Sequence, residues 1–446
     1  MDASAAFKGK KVTVMGLGLL GRGVGDVEFL AQCGANVLVT DKKTEAELAE
    51  SVARLRKYPN VTFHLGGHRQ EDFVQCDMVI KAAGIPLNSP EIAAARAANV
   101  HVAMSTALFA KFAMEAGAKI VGITGTRGKS TVAHMIQRVL IRANKKTVLG
   151  GNVRGVSTLA MLPQIEAGYI AVLELDSWQL QGFGDLKISP HIAVFTNLVP
   201  DHMNYYDGDT STSLSTGMER YFADKANIFC FQKHDDVLIV GSSIADRIRE
   251  SEPPLDPAVP DQIPRTWKLR ILGEHNRENA TLAAAALAAL GLSQEEIRGG
   301  LESFEGVEGR LQFVSEINGV KIYNDNNATT PEATIAALRA LNYGSATSII
   351  LITGGADKGL DIKEFIAEVQ KCKKVVFLAG TGTDRIKKEL PDASVFNTLR
   401  KAFLSAVDAA EAGDVILFSP AFASFGIFKN EYDRNDQFIT LVHNLS

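Results

Sequence analysis

Short apolar runs, each ending in a glycine-rich or polar turn, recur along the whole chain. The first set comprises Lys11–Met15 (KVTVM), Asn36–Thr40, Val61–Leu65, Met78–Ile80 and Val100–Ala103. Helical spacing fills the intervals after Gly21, to about Gly34, and from Ser89 to Ala98. Strands that alternate with helices in this way form a parallel, doubly wound sheet. The pattern resumes with Lys119–Val121, Thr147–Leu149, Tyr169–Leu175 and His191–Asn197, then again with Val320–Tyr323, Ser348–Thr353, Val375–Leu378 and Val415–Phe418. The expectation is an α/β protein of three domains, at residues 1–107, 108–306 and 307–446. Between the second and third sets, Asp207–Gly217 (DGDTSTSLSTG) is polar enough for an exposed loop. Met218–Phe231 is expected to be a helix carrying Tyr221, Lys225 and Ile228 on one stripe. Residues 253–264 hold five prolines and so must be a loop.

The turn at residues 122–131 (GITGTRGKST) changes the picture from architecture to chemistry. It follows a short apolar strand and precedes a helix with Val132, Ile136, Val139 and Leu140 on one face. Gly125 and Gly128 allow the backbone to curl, so that its N–H groups and the helix N-terminus meet an anion. With Thr126 in the same turn, Lys129 can reach terminal phosphates, and Ser130 or Thr131 can hold magnesium. This is a P-loop, with one departure: the spacing asks for glycine at 123, where the chain has Ile123 and carries Gly122 one place earlier.

A second glycine turn, Gly16-Leu17-Gly18-Leu19-Leu20-Gly21, follows the first strand, and Asp41 ends the next strand twenty residues after Gly21. This is the dinucleotide fingerprint, which taken alone says NAD. The same turn also occurs in folds that bind other nucleotides, or as a purely structural turn, and Lys42 and Lys43 would suit a further anionic group. Glu174 sits in an otherwise apolar strand, and His202 lies just past the end of the next one, in Leu198-Val199-Pro200-Asp201-His202. Ligands bind at such strand ends in open α/β sheets. Each residue alone could be structural, but sharing an edge with the P-loop favours metal ligation. Asn276 and Asn279 share a face where Gly273–Asn279 opens the alanine-rich helix Ala280–Leu290; they could read a base edge, or Asn276 could cap the helix.

Composition narrows the class further. The 446 residues carry a net charge of −4, which argues against nucleic-acid or polybasic membrane binding while leaving room for local basic pockets. Four cysteines, Cys33, Cys76, Cys230 and Cys372, include no CxxC pair and fit reduced thiols of a cytoplasmic protein. No signal-peptide pattern opens the chain and no run of about 18 apolar residues occurs, so no membrane insertion is expected.

These motifs in combination resemble the Mur ligases, ATP-dependent enzymes of bacterial cell-wall precursor synthesis, over essentially the whole chain. The resemblance rests on GTRGKST, LELDSWQL around Glu174, NLVPDHMNYY around His202, ADKANIF around Lys225 and GEHNRENA around Asn276. It continues through GRLQFV at Arg310, NDNNAT at Asp325, GGADKG at Lys358 and SPAFASF at Ser424. It implies a Rossmann-like N-terminal domain, a central P-loop ATPase-like domain and a Rossmann-like C-terminal domain. The implied reaction adds D-glutamate to UDP-N-acetylmuramoyl-L-alanine through an acyl phosphate, in a cytoplasmic monomer. Lys129, Ser130 and Thr131 would hold ATP and magnesium. Glu174 and His202 would ligate two magnesium ions, with a carbamylated Lys225 stabilising the second. Asn276, Asn279, Arg310 and Asp325 would contact the nucleotide. Leu19, Leu20, Asp41 and Lys43 would hold the uridine diphosphate group, Asn152 the muramoyl end, and Lys358, Ser424 and Phe425 the incoming D-glutamate. Departures cluster on the amino-acid side: Asn326 and Asn327 stand where NDSKAT is common, and Glu431 where an aromatic residue is usual. A related ligase for another amino acid, including a folylpolyglutamate-type ligase, therefore stays open. So do an NAD-dependent dehydrogenase and a nucleotide-regulated binding protein. The dehydrogenase would need a hydride site where the second domain carries a P-loop.

Overall fold

A computed structural model of the chain describes residues 3–18, 21–201, 203–206, 214–342, 348–391 and 393–445. The described chain forms two compact units, Met1–Pro264 with Glu278–Leu301, and Arg265–Arg277 with Glu302–Ser446. The larger unit contains two parallel sheets. In the first, β1 (Lys11–Met15), β2 (Asn36–Asp41), β3 (Val61–Leu65), β4 (Met78–Lys81) and β5 (His101–Ala103) lie in the order β3-β2-β1-β4-β5. The order reverses between β1 and β4, where an open α/β sheet forms its ligand crevice. The helix Ser105–Glu115 follows β5 and runs unbroken past Ala107.

The second sheet comprises β6 (Lys119–Thr124), β7 (Thr147–Gly151), β8 (Ile170–Glu174), β9 (Ile192–Phe195) and β10 (Val237–Val240), in the order β10-β9-β6-β8-β7. All five residues of β8 and all four of β9 are buried, as strands covered on both faces by helices must be. Val132, Ile136, Val139 and Leu140 of the helix Lys129–Arg142 are fully buried, which is the face expected from their spacing.

The smaller unit is built on a six-stranded sheet of β11 (Gln312–Ile317), β12 (Val320–Asn324), β13 (Ile349–Thr353), β14 (Lys374–Leu378), β15 (Ser394–Phe396) and β16 (Val415–Phe418). The order is β11-β12-β16-β13-β14-β15, with only β11 antiparallel. Four of these strands were evident from their apolar runs. The other two were not: β11 is an edge strand without a single fully buried residue, and β15 is three residues long.

Several element bounds differ from expectation. β6 continues through Gly122 to Thr124, so Gly122 belongs to the strand rather than to the turn. A Cβ on Gly122 would sit 2.4 Å from Pro190 Cγ, so packing against that ring explains its glycine. β7 likewise includes Gly150 and Gly151. The expected helix Met218–Phe231 is Leu214–Ala226, so residues 214–217 are helical instead of loop, and Ile228 lies in the turn beyond the helix end, though fully buried. The rest of the expected loop, residues 207–213, lies outside the described residues. The helix expected from Ala280 begins at Glu274, so both Asn276 and Asn279 are inside it. Among the described residues no helix is long and apolar enough to cross a membrane.

Candidate active site

The phosphate loop is fixed by the segment that follows β9. Gly125 (φ 132°) and Gly128 (φ 85°) adopt backbone angles that side chains rarely take. A Cβ on Gly125 would fall 2.0 Å from Thr196 Oγ1, and one on Gly128 would fall 2.3 Å from Asn279 Oδ1. Thr126 Oγ1 donates to Val199 O and accepts from Val199 N, both at 3.0 Å. Arg127 N donates to Asn197 Oδ1 at 2.9 Å, and Thr196 Oγ1 donates to Arg127 O at 2.5 Å. The loop is therefore set before any phosphate arrives. Gly125→Ala is expected to destabilise the fold by about 2–4 kcal/mol and to abolish nucleotide binding, measured by thermal melting and calorimetry with ATP.

Two lysines from different elements meet at this loop. Lys129 Nζ, half-buried in the first turn of its helix, donates to Gly125 O and Thr126 O at 3.0 Å. Lys225, from the end of the helix Leu214–Ala226, is 1% exposed and donates to the same Gly125 O at 2.9 Å and to Thr124 Oγ1 at 3.4 Å. Its ammonium lies 4.7 Å from the centre of the Tyr221 ring. Burial, and next the neighbouring Lys129 charge, push the Lys225 amine well below the usual lysine range. Beside it, the Asp224 carboxylate accepts from Gln181 Nε2 at 2.7 Å and Tyr206 OH at 2.9 Å, and burial raises its pKa.

Glu174 is the last residue of β8 and only 4% exposed. Its backbone carbonyl accepts from Asn152 N at 2.7 Å, which ties the turn after β7 to the end of β8. Ser130 and Thr131, both buried, open the helix after β6. Ends of β6, β7 and β8 thus bring Ser130, Asn152 and Glu174 to one edge of one sheet. Hydroxyl and carboxylate oxygens are the donors that magnesium prefers, and the buried Glu174 carboxylate needs a compensating cation, so the donor set fits that ion. His202, the other expected ligand, lies outside the described residues, as do Leu19 and Leu20.

At the first sheet, Asp41 is engaged with the glycine turn itself. Its Oδ2 accepts from Leu17 N at 2.9 Å and Gly18 N at 3.3 Å, and its Oδ1 from Lys43 N at 2.9 Å. The carboxylate braces the glycine turn. Sequence reasoning missed two partners here. Arg22, at the start of the helix Arg22–Gln32, donates through Nη1 to Asn152 Oδ1 at 3.0 Å and so links the first glycine turn to the second sheet. Lys81, 2% exposed at the end of β4, donates to the carbonyls of Ala82, Ala83 and Ile85 at 2.8–3.4 Å. Burial lowers its pKa to about 8. A lysine closing an apolar strand was the available signal.

In the smaller unit, Asp325 follows β12 and accepts from Leu311 N at 2.9 Å and Ser419 Oγ at 2.7 Å; burial pushes its pKa up to about 7. Arg310 pairs through its backbone with Val307 and lends Asp325 a favourable charge. Asn276 is buried and its Nδ2 donates to Leu272 O at 2.7 Å, a contact with the preceding turn. Lys358 Nζ donates to Thr329 Oγ1 at 3.1 Å. Its loop is tied to that of Ser424 by paired backbone bonds between Ala356 and Ala423, at 3.0 and 3.1 Å. Ser424 is buried, whereas Phe425 is 70% exposed.

Three family descriptions match the chain in order. They are Mur ligase MurD-like N-terminal domain over residues 10–104, Mur ligase middle domain over 123–253, and Mur ligase, glutamate ligase domain over 309–422. The UDP-N-acetylmuramoylalanine--D-glutamate ligase of Roseiflexus sp. (strain RS-1) is 34% identical, covering 98% of this chain and 99% of the relative. The protein of that name from Borreliella burgdorferi (strain ZS7) is 32% identical over the same shares. Among solved structures, the UDP-N-acetylmuramate-alanine ligase MurC of Thermotoga maritima superposes with a TM-score of 0.63 at 19% identity, covering 98% of this chain and 100% of that one. That likeness concerns the fold.

Proposed function

We propose that this chain, which belongs to the Mur ligase family, joins D-glutamate to UDP-N-acetylmuramoyl-L-alanine at the expense of ATP in cytoplasmic peptidoglycan precursor synthesis. One observation carries the reading. A P-loop lysine and a second, buried lysine converge on the Gly125 carbonyl, in a chain that aligns over 98% of its length with ligases of that name. Residues 1–107 would take the UDP-sugar, 108–306 the ATP, and 307–446 the amino acid.

A carboxylate is a poor electrophile and repels the equally anionic ATP. Lys129 and the N–H groups around Gly125 and Gly128 offset that repulsion and hold the γ-phosphate. The substrate carboxylate oxygen attacks the γ-phosphorus, the β–γ bond breaks, and ADP leaves. The amine of D-glutamate then attacks the acyl carbon of the acyl phosphate; phosphate departs, a proton is lost, and the amide remains. Ser130, Glu174 and His202 would hold magnesium, with Lys225 contributing as a carbamate. Bound there, the ion supplies charge neutralisation for the phosphates. Asn279, Asn276, Arg310 and Asp325 are assigned to the nucleotide. Leu19, Leu20, Asp41, Lys43 and Asn152 are assigned to the UDP-sugar, and Lys358, Ser424 and Phe425 to D-glutamate.

Phosphate release from ATP, measured with UDP-N-acetylmuramoyl-L-alanine and a panel of amino acids, tests the reading. D-Glutamate should give the highest kcat/KM; a higher value for any other amino acid overturns it. For the first glycine turn, calorimetry should show binding of a UDP-sugar and none of NAD. Tight NAD binding without UDP-sugar binding would restore the dehydrogenase reading.

A further inference from the structure

Deep in the smaller unit lies a cation whose place the reaction above does not explain. Arg434, on the helix Glu431–His443, is fully buried. Its Nε donates to Asn326 Oδ1 at 2.8 Å, Nη2 to Asn326 O at 2.9 Å, and Nη1 to Phe422 O at 3.2 Å. All three acceptors are uncharged, and no carboxylate of the described residues lies within ion-pairing distance of it. Burial lowers its pKa only to about 10, so the charge persists at neutral pH, with Glu431 the one charge that favours it. A buried cation with neutral partners is costly, and an apolar residue of similar volume commonly serves stability as well.

Its neighbours suggest why it stays charged. Asn326 Nδ2 donates to Asn327 Oδ1 at 3.1 Å and to Glu431 O at 2.9 Å, so the guanidinium fixes the Asn326–Asn327 turn through Asn326. Through Phe422 O it also fixes the loop that carries Ser424, which is tied to the Lys358 loop at Ala356 and Ala423. Of the two loops assigned to the incoming amino acid, that of Ser424 therefore takes a bond from the guanidinium directly, and that of Lys358 is joined to it through the Ala356–Ala423 pairing. The turn itself carries Asn327 where NDSKAT places a lysine. We propose that Arg434 is a positioning and specificity-determining residue, whose buried charge lies beneath the amino-acid loops and selects a substrate with a side-chain carboxylate. The inference rests on the D-glutamate reading and supplies the positive potential that the turn lacks.

D-Glutamate and D-glutamine have the same shape and differ in one charge, so the ratio of their kcat/KM values reads the selection directly. In the full-length Arg434→Met variant, the ratio should fall by about tenfold or more through KM for D-glutamate, with KM for ATP and for the UDP-substrate within about threefold of wild type. Arg434→Lys, which keeps the charge, should retain most of the ratio. Asn326→Asp places a counter-charge against an intact Arg434 without emptying the core. It should lower the ratio as well, and it decides the matter if the methionine variant does not fold. An unchanged ratio in the folded variants, or a parallel rise in all three KM values, would reduce Arg434 to a structural residue and overturn the proposal. A wild-type enzyme that prefers an uncharged amino acid would instead refute the D-glutamate reading, before any variant is compared.

Discussion

Lys225→Ala is expected to lose about 10²–10³-fold in turnover, with small added carboxylates such as formate or acetate restoring part of it. The reason lies in the electrostatics of the Gly125 carbonyl, where Lys225 and Lys129 both donate. A second ammonium there would repel any magnesium that Glu174 helps to hold. Burial and the Lys129 charge favour the neutral amine. That form can attack carbon dioxide: an N–C bond forms, a proton leaves to water, and the product is a carbamate. Its negative oxygens invert the local charge and suit magnesium. Alanine leaves the space of that carboxylate empty, so a small carboxylate in solution can enter. Two measurements check the idea: turnover of the variant with and without added carboxylate, and the mass of an active wild-type preparation. Full activity in the variant, or a wild-type mass without the added carbon dioxide, would sink it.

Lys129→Ala should cut product formation by about 10²–10³-fold while moving stability by no more than about 1 kcal/mol. Lys129 is half-buried and its ammonium rests on two loop carbonyls, while Thr126 and Arg127 of the loop are hydrogen-bonded to Thr196, Asn197 and Val199. The loop shape therefore does not depend on the lysine. What the variant lacks is the charge that meets the γ-phosphate as it transfers, a loss of about 10²–10³-fold by the usual effect of one such group. Phosphate release in the presence of UDP-N-acetylmuramoyl-L-alanine and D-glutamate, beside a thermal melt, separates the two effects. Wild-type turnover would exclude Lys129 from the chemistry. A collapse in melting temperature would show that it supports the loop after all.

Local physics made much of this protein legible from its sequence. Runs such as Lys119–Val121 and Ser348–Thr353 read as buried strands, and the glycines at 125 and 128 supply backbone angles that nothing else supplies cheaply. Those features need only neighbouring residues, so strand order along the chain, the P-loop and the first glycine turn could all be read in advance. The amphipathic edge strand β11 and the three-residue β15 could not, because they are defined by partners rather than by their own apolarity. The same limit applies to single residues. Gly122 reads as a misplaced loop glycine, yet Pro190, remote in sequence, is what excludes its side chain. Asp41 reads as part of a nucleotide fingerprint, and only the tertiary structure shows that its oxygens accept from the N–H groups of Leu17, Gly18 and Lys43. Lys225 reaches Gly125 across 100 positions and Arg434 reaches Asn326 across 108. Burial of a charge, and the company it keeps once buried, depend on distances through space, and those exist only when the sheets and helices have packed.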